Sequence, residues 1–218
     1  MEKRLHKFLS NKEKRIEILK LSGVKDVITN KITPTQKRDY LDEIYEKYKD
    51  CQRCILAEKR NNFVLGEGDA DANIMFVGEG PGAQEDKTGR PFVGKAGKLF
   101  TKMLSAIDLS RQDVYITNIV KCRPPKNRDP RADEIKACLP FLYQQIKIIK
   151  PNLICALGKV AGNTLLEKQT SLSNLRNSIF TFQNTDLMVT YHPSALLYHP
   201  NWKRPAWEDL KKLRDKYL

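Results

Sequence analysis

Residues 73–100 read Asn-Ile-Met-Phe-Val-Gly-Glu-Gly-Pro-Gly-Ala-Gln-Glu-Asp-Lys-Thr-Gly-Arg-Pro-Phe-Val-Gly-Lys-Ala-Gly-Lys-Leu-Phe, and their reading decides the fold. Ile74 to Val77 is a short apolar run of strand formers that stops at Gly78, as a buried strand does when it runs into a turn. Gly78, Gly80, Gly82, Gly89, Gly94 and Gly97 then crowd into 20 residues. Glycine at that density brings main-chain N–H groups close to a ligand. A phosphate-binding loop has the same strand–loop–helix order, but here no Gly-Lys-Ser/Thr ending follows, and Gly78-x-Gly80-x-Gly82 misses G-x-G-x-x-G by one residue. The 18 residues between Val77 and Ala96 show no periodicity, and connections that long are usually functional.

Outward from this stretch, strands and helices alternate. Leu99, Phe100, Met103, Leu104 and Ile107 fall on one helical face, Val114–Thr117 is a second strand ending at Asn118, and Ile135, Leu139, Leu142, Ile146 and Ile149 mark a long amphipathic helix. Leu153–Leu157 is a third strand and Val160–Leu166 a short helix; 178–182 and 187–191 are strand-like, and Trp207–Leu218 is a basic amphipathic helix. This alternation predicts a single α/β domain over 36–218, a mainly parallel central sheet with helices on both faces, and ligand groups at the strand C-terminal ends. Residues 1–50 hold 13 Lys+Arg and 9 Asp+Glu around small apolar sets, with Gly23 and Pro34 as breaks. They read as two or three short helices, of which 1–35 form a basic N-terminal extension.

Length and charge bound the function. A chain of 218 residues suits one α/β domain with a full core. Its net charge of +13 calls for a polyanionic partner, nucleic acid before an anionic membrane surface. No apolar run is long enough to cross a bilayer or form a signal-peptide core, so an intracellular protein is expected, with reduced cysteines and no membrane association. Cys51-x2-Cys54 is followed by Cys122 and Cys138, and four such thiols can surround one metal centre. Zinc and a [4Fe–4S] cluster accept the same ligands, so the spacing leaves both open. Cys155 lies inside the apolar run 153–157 and reads as core.

Four motifs together resemble the family 4 uracil-DNA glycosylases, the iron–sulfur branch of that superfamily. They are Gly78-Glu79-Gly80-Pro81-Gly82 with Glu85 to Gly97, the four cysteines in their order, Thr117-Asn118-Ile119-Val120-Lys121-Cys122-Arg123-Pro124-Pro125, and His192-Pro193-Ser194-Ala195-Leu196-Leu197. The resemblance runs from Cys51 to Leu197 and implies a DNA-repair enzyme that hydrolyses the N-glycosidic bond of deoxyuridine in single- or double-stranded DNA. It implies a [4Fe–4S] cluster on Cys51, Cys54, Cys122 and Cys138, a monomer, and a possible replication or repair protein as partner. Asn118 would read uracil, its amide matching the N3–H and O4 edge that cytosine inverts. Phe92 would stack on the extruded base, and His192 would donate to uracil O2. Ser194 and Leu196 would meet DNA, Leu196 as the wedge that fills the vacated space.

Gly80 stands where the best-known uracil-DNA glycosylases carry a water-activating Asp. That leaves Glu79 or Glu85 as activator, or water attacking an oxocarbenium-like sugar unaided. The loop 121–131, with Lys121, Arg123, Lys126, Arg128 and Arg131 against the single acid Asp129, suits phosphate contacts. Tyr198-His199-Pro200 echoes the His-Pro-Ser triplet, but Asn201 replaces the Ser and the echo reads as coincidence. Two other classes compete: a non-catalytic module for uracil-containing or single-stranded DNA in a replication complex, and a zinc-stabilised nucleotide-binding protein.

Overall fold

The structure is a computed structural model and describes residues 32–218. The expected extension over 1–35 therefore lies almost wholly outside the described residues. Six strands, β1 (Glu67–Gly68), β2 (Ile74–Gly78), β3 (Tyr115–Asn118), β4 (Leu153–Leu157), β5 (Phe180–Phe182) and β6 (Thr185–Thr190), form one sheet in the order β1-β3-β2-β4-β6-β5. The four central strands pair in parallel, and β1 and β5 close the edges antiparallel. β2 and β4 are buried along their whole length, which is why they read as unbroken apolar runs.

Alternate residues of these strands serve two cores, one on each face of the sheet. Met75, Val77, Ile154, Ala156, Leu187 and Val189 belong to one core. Helices α1 (Pro34–Tyr48) and α4 (Ala132–Ile149) supply Leu41, Ile44, Phe141 and Leu142 to it. Phe141 meets Tyr48 at 4.7 Å and Phe63 at 5.5 Å between ring centroids, pairs worth about 0.5–1.5 kcal/mol each beyond their area. Ile74, Phe76, Leu153, Cys155, Leu157 and Met188 face the second core, against Phe100 and Leu104 of α3 (Lys95–Ser105) and Leu210 and Leu213 of α8 (Lys203–Tyr217). Cys155 thus sits among apolar side chains as its sequence context predicted. The remaining helices are short: α2 (Ala83–Thr88), α5 (Lys159–Leu166), α6 (Leu172–Leu175) and α7 (Pro193–Tyr198).

Two local features differ from the sequence reading. The glycine stretch is not loop throughout, because α2 lies inside it, ended by Gly89 at φ 73°. Lys121, expected in a solvated basic loop, is fully buried. Its Nζ donates to Thr117 Oγ1 (2.6 Å), the Asn118 carbonyl (2.7 Å) and Gln145 Oε1 (2.7 Å), which compensates a cation taken out of water. No helix among the described residues is long and apolar enough to cross a membrane.

Candidate active site

Each central parallel strand ends in, or leads straight into, a residue of one cavity. β2 leads to Gly78 and Glu79, β3 ends on Asn118, β4 leads to Gly158 and Lys159, and β6 leads through Tyr191 to His192. β2 lies between β3 and β4, so the strand order reverses there, where open α/β sheets place their ligand crevice. The cavity measures about 420 Å³, room for a nucleobase. Glu79, Gly80, Glu85, Phe92, Asn118, Arg128, His192 and Ser194 all line it, so residues up to 115 positions apart in the chain are brought together. Gly158, Lys159 and Val160 line it too, and the sequence reading had not marked them. Their signal was available, since they follow the strand Leu153–Leu157 at its C-terminal end.

The floor is held from three sides. Phe92 has φ 51°, in the left-handed region. Arg111 Nη1 and Nη2 donate to the Phe92 and Pro91 carbonyls at 3.0 and 2.6 Å, and Arg111 pairs with Glu67 at 2.6 Å. From the opposite side, Glu85 Oε1 accepts from the N–H groups of Val93 and Gly94, each at 2.8 Å. Gly97 packs so closely under Phe92 that a Cβ there would overlap the Phe92 carbonyl, and a Cβ on Gly78 would strike both Asn118 Oδ1 and the Phe92 ring. The Phe92 ring lies 5.6 Å from the His192 ring at 36°.

Asn118 is 1% exposed, and its Oδ1 finds no hydrogen-bond partner among the described residues. An unmet buried acceptor costs about 1–3 kcal/mol, which a ligand N–H entering the cavity would recover. His192 Nδ1 accepts from the Ser194 N–H at 3.2 Å and lies 2.7 Å from Ser194 Oγ. With Nδ1 so engaged, the neutral ring carries its proton on Nε2. Burial pushes the His192 pKa down to about 4, partly opposed by the Glu85 carboxylate, so the ring is neutral at pH 7. Burial pushes Glu79 up to about 7, and Asp129 nearby adds to the shift.

The expected DNA contacts and the second acid are placed as follows. Leu196 is 2% exposed, whereas Leu197 is 42% and Tyr198 80% exposed. The phase of α7, which packs on α3, turns Leu196 inward in this structure. Arg128 donates to Glu134 at 2.8 and 2.6 Å and to the Asp129 carbonyl, so its guanidinium is occupied by the start of α4. Arg123 Nε donates to Asn127 Oδ1 at 2.9 Å, and Lys126 is exposed on a turn with φ 55°. Glu85 is spent on the loop it braces.

The cysteines gather at the edge of the first core, Cys122 and Cys138 buried and Cys51 and Cys54 half-buried against it. Cys54, Cys122 and Cys138 each feel the charge of others in the set. Burial pushes Cys122 up to about 11 and Cys138 up to about 12. Arg60 Nη1 donates to Cys122 Sγ at 3.3 Å and the Lys121 N–H to Cys138 Sγ at 3.2 Å. Among the described residues no three His, Cys, Asp or Glu side chains close tightly around a single ion. The donor set is nevertheless pure sulfur with N–H donors aimed at it, the environment in which thiolates of iron–sulfur sites are held.

Comparison with known proteins gives a consistent answer. The profile of the uracil DNA glycosylase superfamily matches residues 65–211. The type-4 uracil-DNA glycosylase of Sulfurisphaera tokodaii is 47% identical over 186 residues, 81% of this chain and 84% of that protein. Those of Saccharolobus solfataricus and Thermotoga maritima are 45% and 44% identical, over 81% and 82% of this chain and 86% and 95% of theirs.

Proposed function

On the premise that this chain belongs to the type-4 uracil-DNA glycosylases, as the relatives above establish, we propose how its cavity cleaves the glycosidic bond of deoxyuridine in DNA. It is a DNA-repair glycosylase: the bond between C1′ and N1 breaks, water supplies OH to C1′, and uracil departs from an abasic site. The observation that carries the assignment of roles is the orphaned Oδ1 of Asn118, a residue that lines the same cavity as Phe92 and His192. Oδ1 accepts from uracil N3–H and Nδ2 donates to O4. Cytosine offers a bare N3 and an amine there and leaves both groups unpaired. A base reaches this cavity only after extrusion from the stack, and Phe92 offers it a face.

As the C1′–N1 bond lengthens, negative charge collects on N1 and O2 of the leaving base. Neutral His192 donates Nε2–H to O2, a donor that is fixed in advance and costs no reorganisation. Of the two acids weighed as water activators, Glu79 suits the task better, because Glu85 is engaged by two N–H groups and Glu79 is not. Asp129, Arg128 and Lys159 share the cavity with Glu79, and the Arg128 guanidinium is turned to Glu134.

A pH profile tests this. With Glu79 as base, the single-turnover rate rises about tenfold per pH unit below pH 7 and levels off above, because only the carboxylate can take a proton from water. His192 adds no inflection from pH 5 to 8, being neutral throughout. Glu79→Gln should lower the plateau and flatten the profile. An inflection near pH 7 that survives in Glu79→Gln assigns it to another group and removes Glu79 from this role.

Cys51, Cys54, Cys122 and Cys138 would hold a [4Fe–4S] cluster. When bound it supplies a structural tie, joining the segment after α1, the end of β3 and helix α4 behind the cavity. The protein purified without oxygen should be brown, with about four iron and four sulfide per chain. Cys138→Ser should lose iron and Cys155→Ser should keep it. Colourless protein with one zinc per chain would overturn this assignment.

A further inference from the structure

We propose that residues 197–204 form a stacking shelf for bases of single-stranded DNA flanking the uracil, next to but outside the cavity. The inference rests on the reading of that cavity given above and extends its substrate. Leu197, Tyr198, His199, Trp202, Lys203 and Arg204 are all exposed, three aromatics and two cations in eight residues. The segment Tyr198-His199-Pro200 therefore has a use other than a second copy of the His-Pro-Ser triplet.

The rings are already piled. Trp202 stacks with Tyr191, 5.2 Å away at 28°, and with His199, 4.1 Å away at 29°. The pile has a fixed base. The Arg176 guanidinium lies over the Tyr191 ring at 4.3 Å and donates to its hydroxyl at 3.0 Å. Arg176 is itself pinned by Asp209 at 2.9 Å through both nitrogens, and Thr190 Oγ1 donates to Asp209 at 2.6 Å. Stacking on rings that are held beforehand costs little conformational entropy, and a π-face accepts any base.

Position supplies the rest. Tyr191 in the pile precedes His192 in the cavity, and α7 runs from Pro193, between the cavity residues His192 and Ser194, to Tyr198 on the shelf. Six helical residues rise about 9 Å, against about 3.4 Å per stacked nucleotide. The shelf therefore lies within reach of bases a few nucleotides from the extruded one. Lys203 and Arg204 follow the rings directly in the chain and are exposed, cations available to the backbone phosphates. In duplex DNA the flanking bases are stacked on one another and paired, so the shelf acts on single strands.

The test uses uracil-free oligothymidylate and a uracil-containing oligonucleotide, single-stranded or annealed. The protein has two tryptophans, so emission should be quenched by oligothymidylate in the wild type and in Trp207→Phe, and the quench should vanish in Trp202→Phe. Tyr198→Ala and His199→Ala, both at exposed sites, should each raise KM on the single strand by roughly 5- to 100-fold with kcat within about twofold. KM on the duplex should stay within about twofold. Unchanged single-strand KM, or an equal rise on both substrates, overturns the shelf while leaving the glycosylase reading intact. Quenching by oligothymidylate in a protein that releases no uracil would sustain the shelf and sink the earlier reading.

Discussion

His192→Ala lowers the single-turnover rate of uracil release by on the order of 100-fold or more, with little change in DNA affinity. The reason lies in when the charge exists. Uracil O2 in intact deoxyuridine is an ordinary carbonyl, and the full demand for a donor arises only as the glycosidic bond opens. His192 meets it with a proton whose place on Nε2 is dictated by the Ser194 N–H on the other ring nitrogen. Desolvation keeps the ring neutral, so it is a donor of constant strength across the working range of pH. Rates under single-turnover conditions, beside affinity for a non-cleavable analogue, separate the chemical step from binding. A variant within a few-fold of wild type would remove His192 from the leaving-group side.

Asn118→Asp should be more damaging still, with uracil excision falling by on the order of a thousandfold, because a site built to hydrogen-bond one edge rejects what cannot complete the pattern. The carboxylate replaces the donor that faced O4 by an acceptor and places two oxygens against one. Burial worsens the mismatch, since at 1% exposure no water reaches in to relieve it. The carboxylate can still accept from the exocyclic amine of cytosine, so the check is excision of both bases by the variant. Uracil release within about tenfold of wild type would mean that another group reads the base.

How far the sequence carried these conclusions depended on whether a signal was local. The strand Leu153–Leu157 was legible residue for residue, since a strand covered on both faces is an uninterrupted apolar run. Asn118 and His192 were singled out by the resemblance, whereas Gly158 and Lys159, equally placed at a strand end, carry no such motif and were not. Helix α2 was not, because six residues between glycines are too few for a period to show. Leu196 and Leu197 are chemically identical neighbours, and only the phase of α7 decides which one faces solvent. The burial of Lys121 depended on Gln145, contributed by α4 from 24 positions away. Likewise Arg128 finds Glu134 only once the turn at Lys126 has folded back onto α4.

The seat of Phe92 has an evolutionary consequence. At Gly97 the first carbon of any side chain would fall on a main-chain carbonyl, and at Gly78 it would fall on Asn118 Oδ1 and the Phe92 ring. The first obstacle is main chain, and the second is a pair of buried side chains with little room to move. Such positions have no neutral neighbours under point mutation, so lineages can drift freely over the lysine-rich surface while this corner stays frozen. New base specificities would have to arise around the seat, by exchanging Asn118 or the residues beyond the cavity rim, because the seat itself offers no intermediate through which to pass.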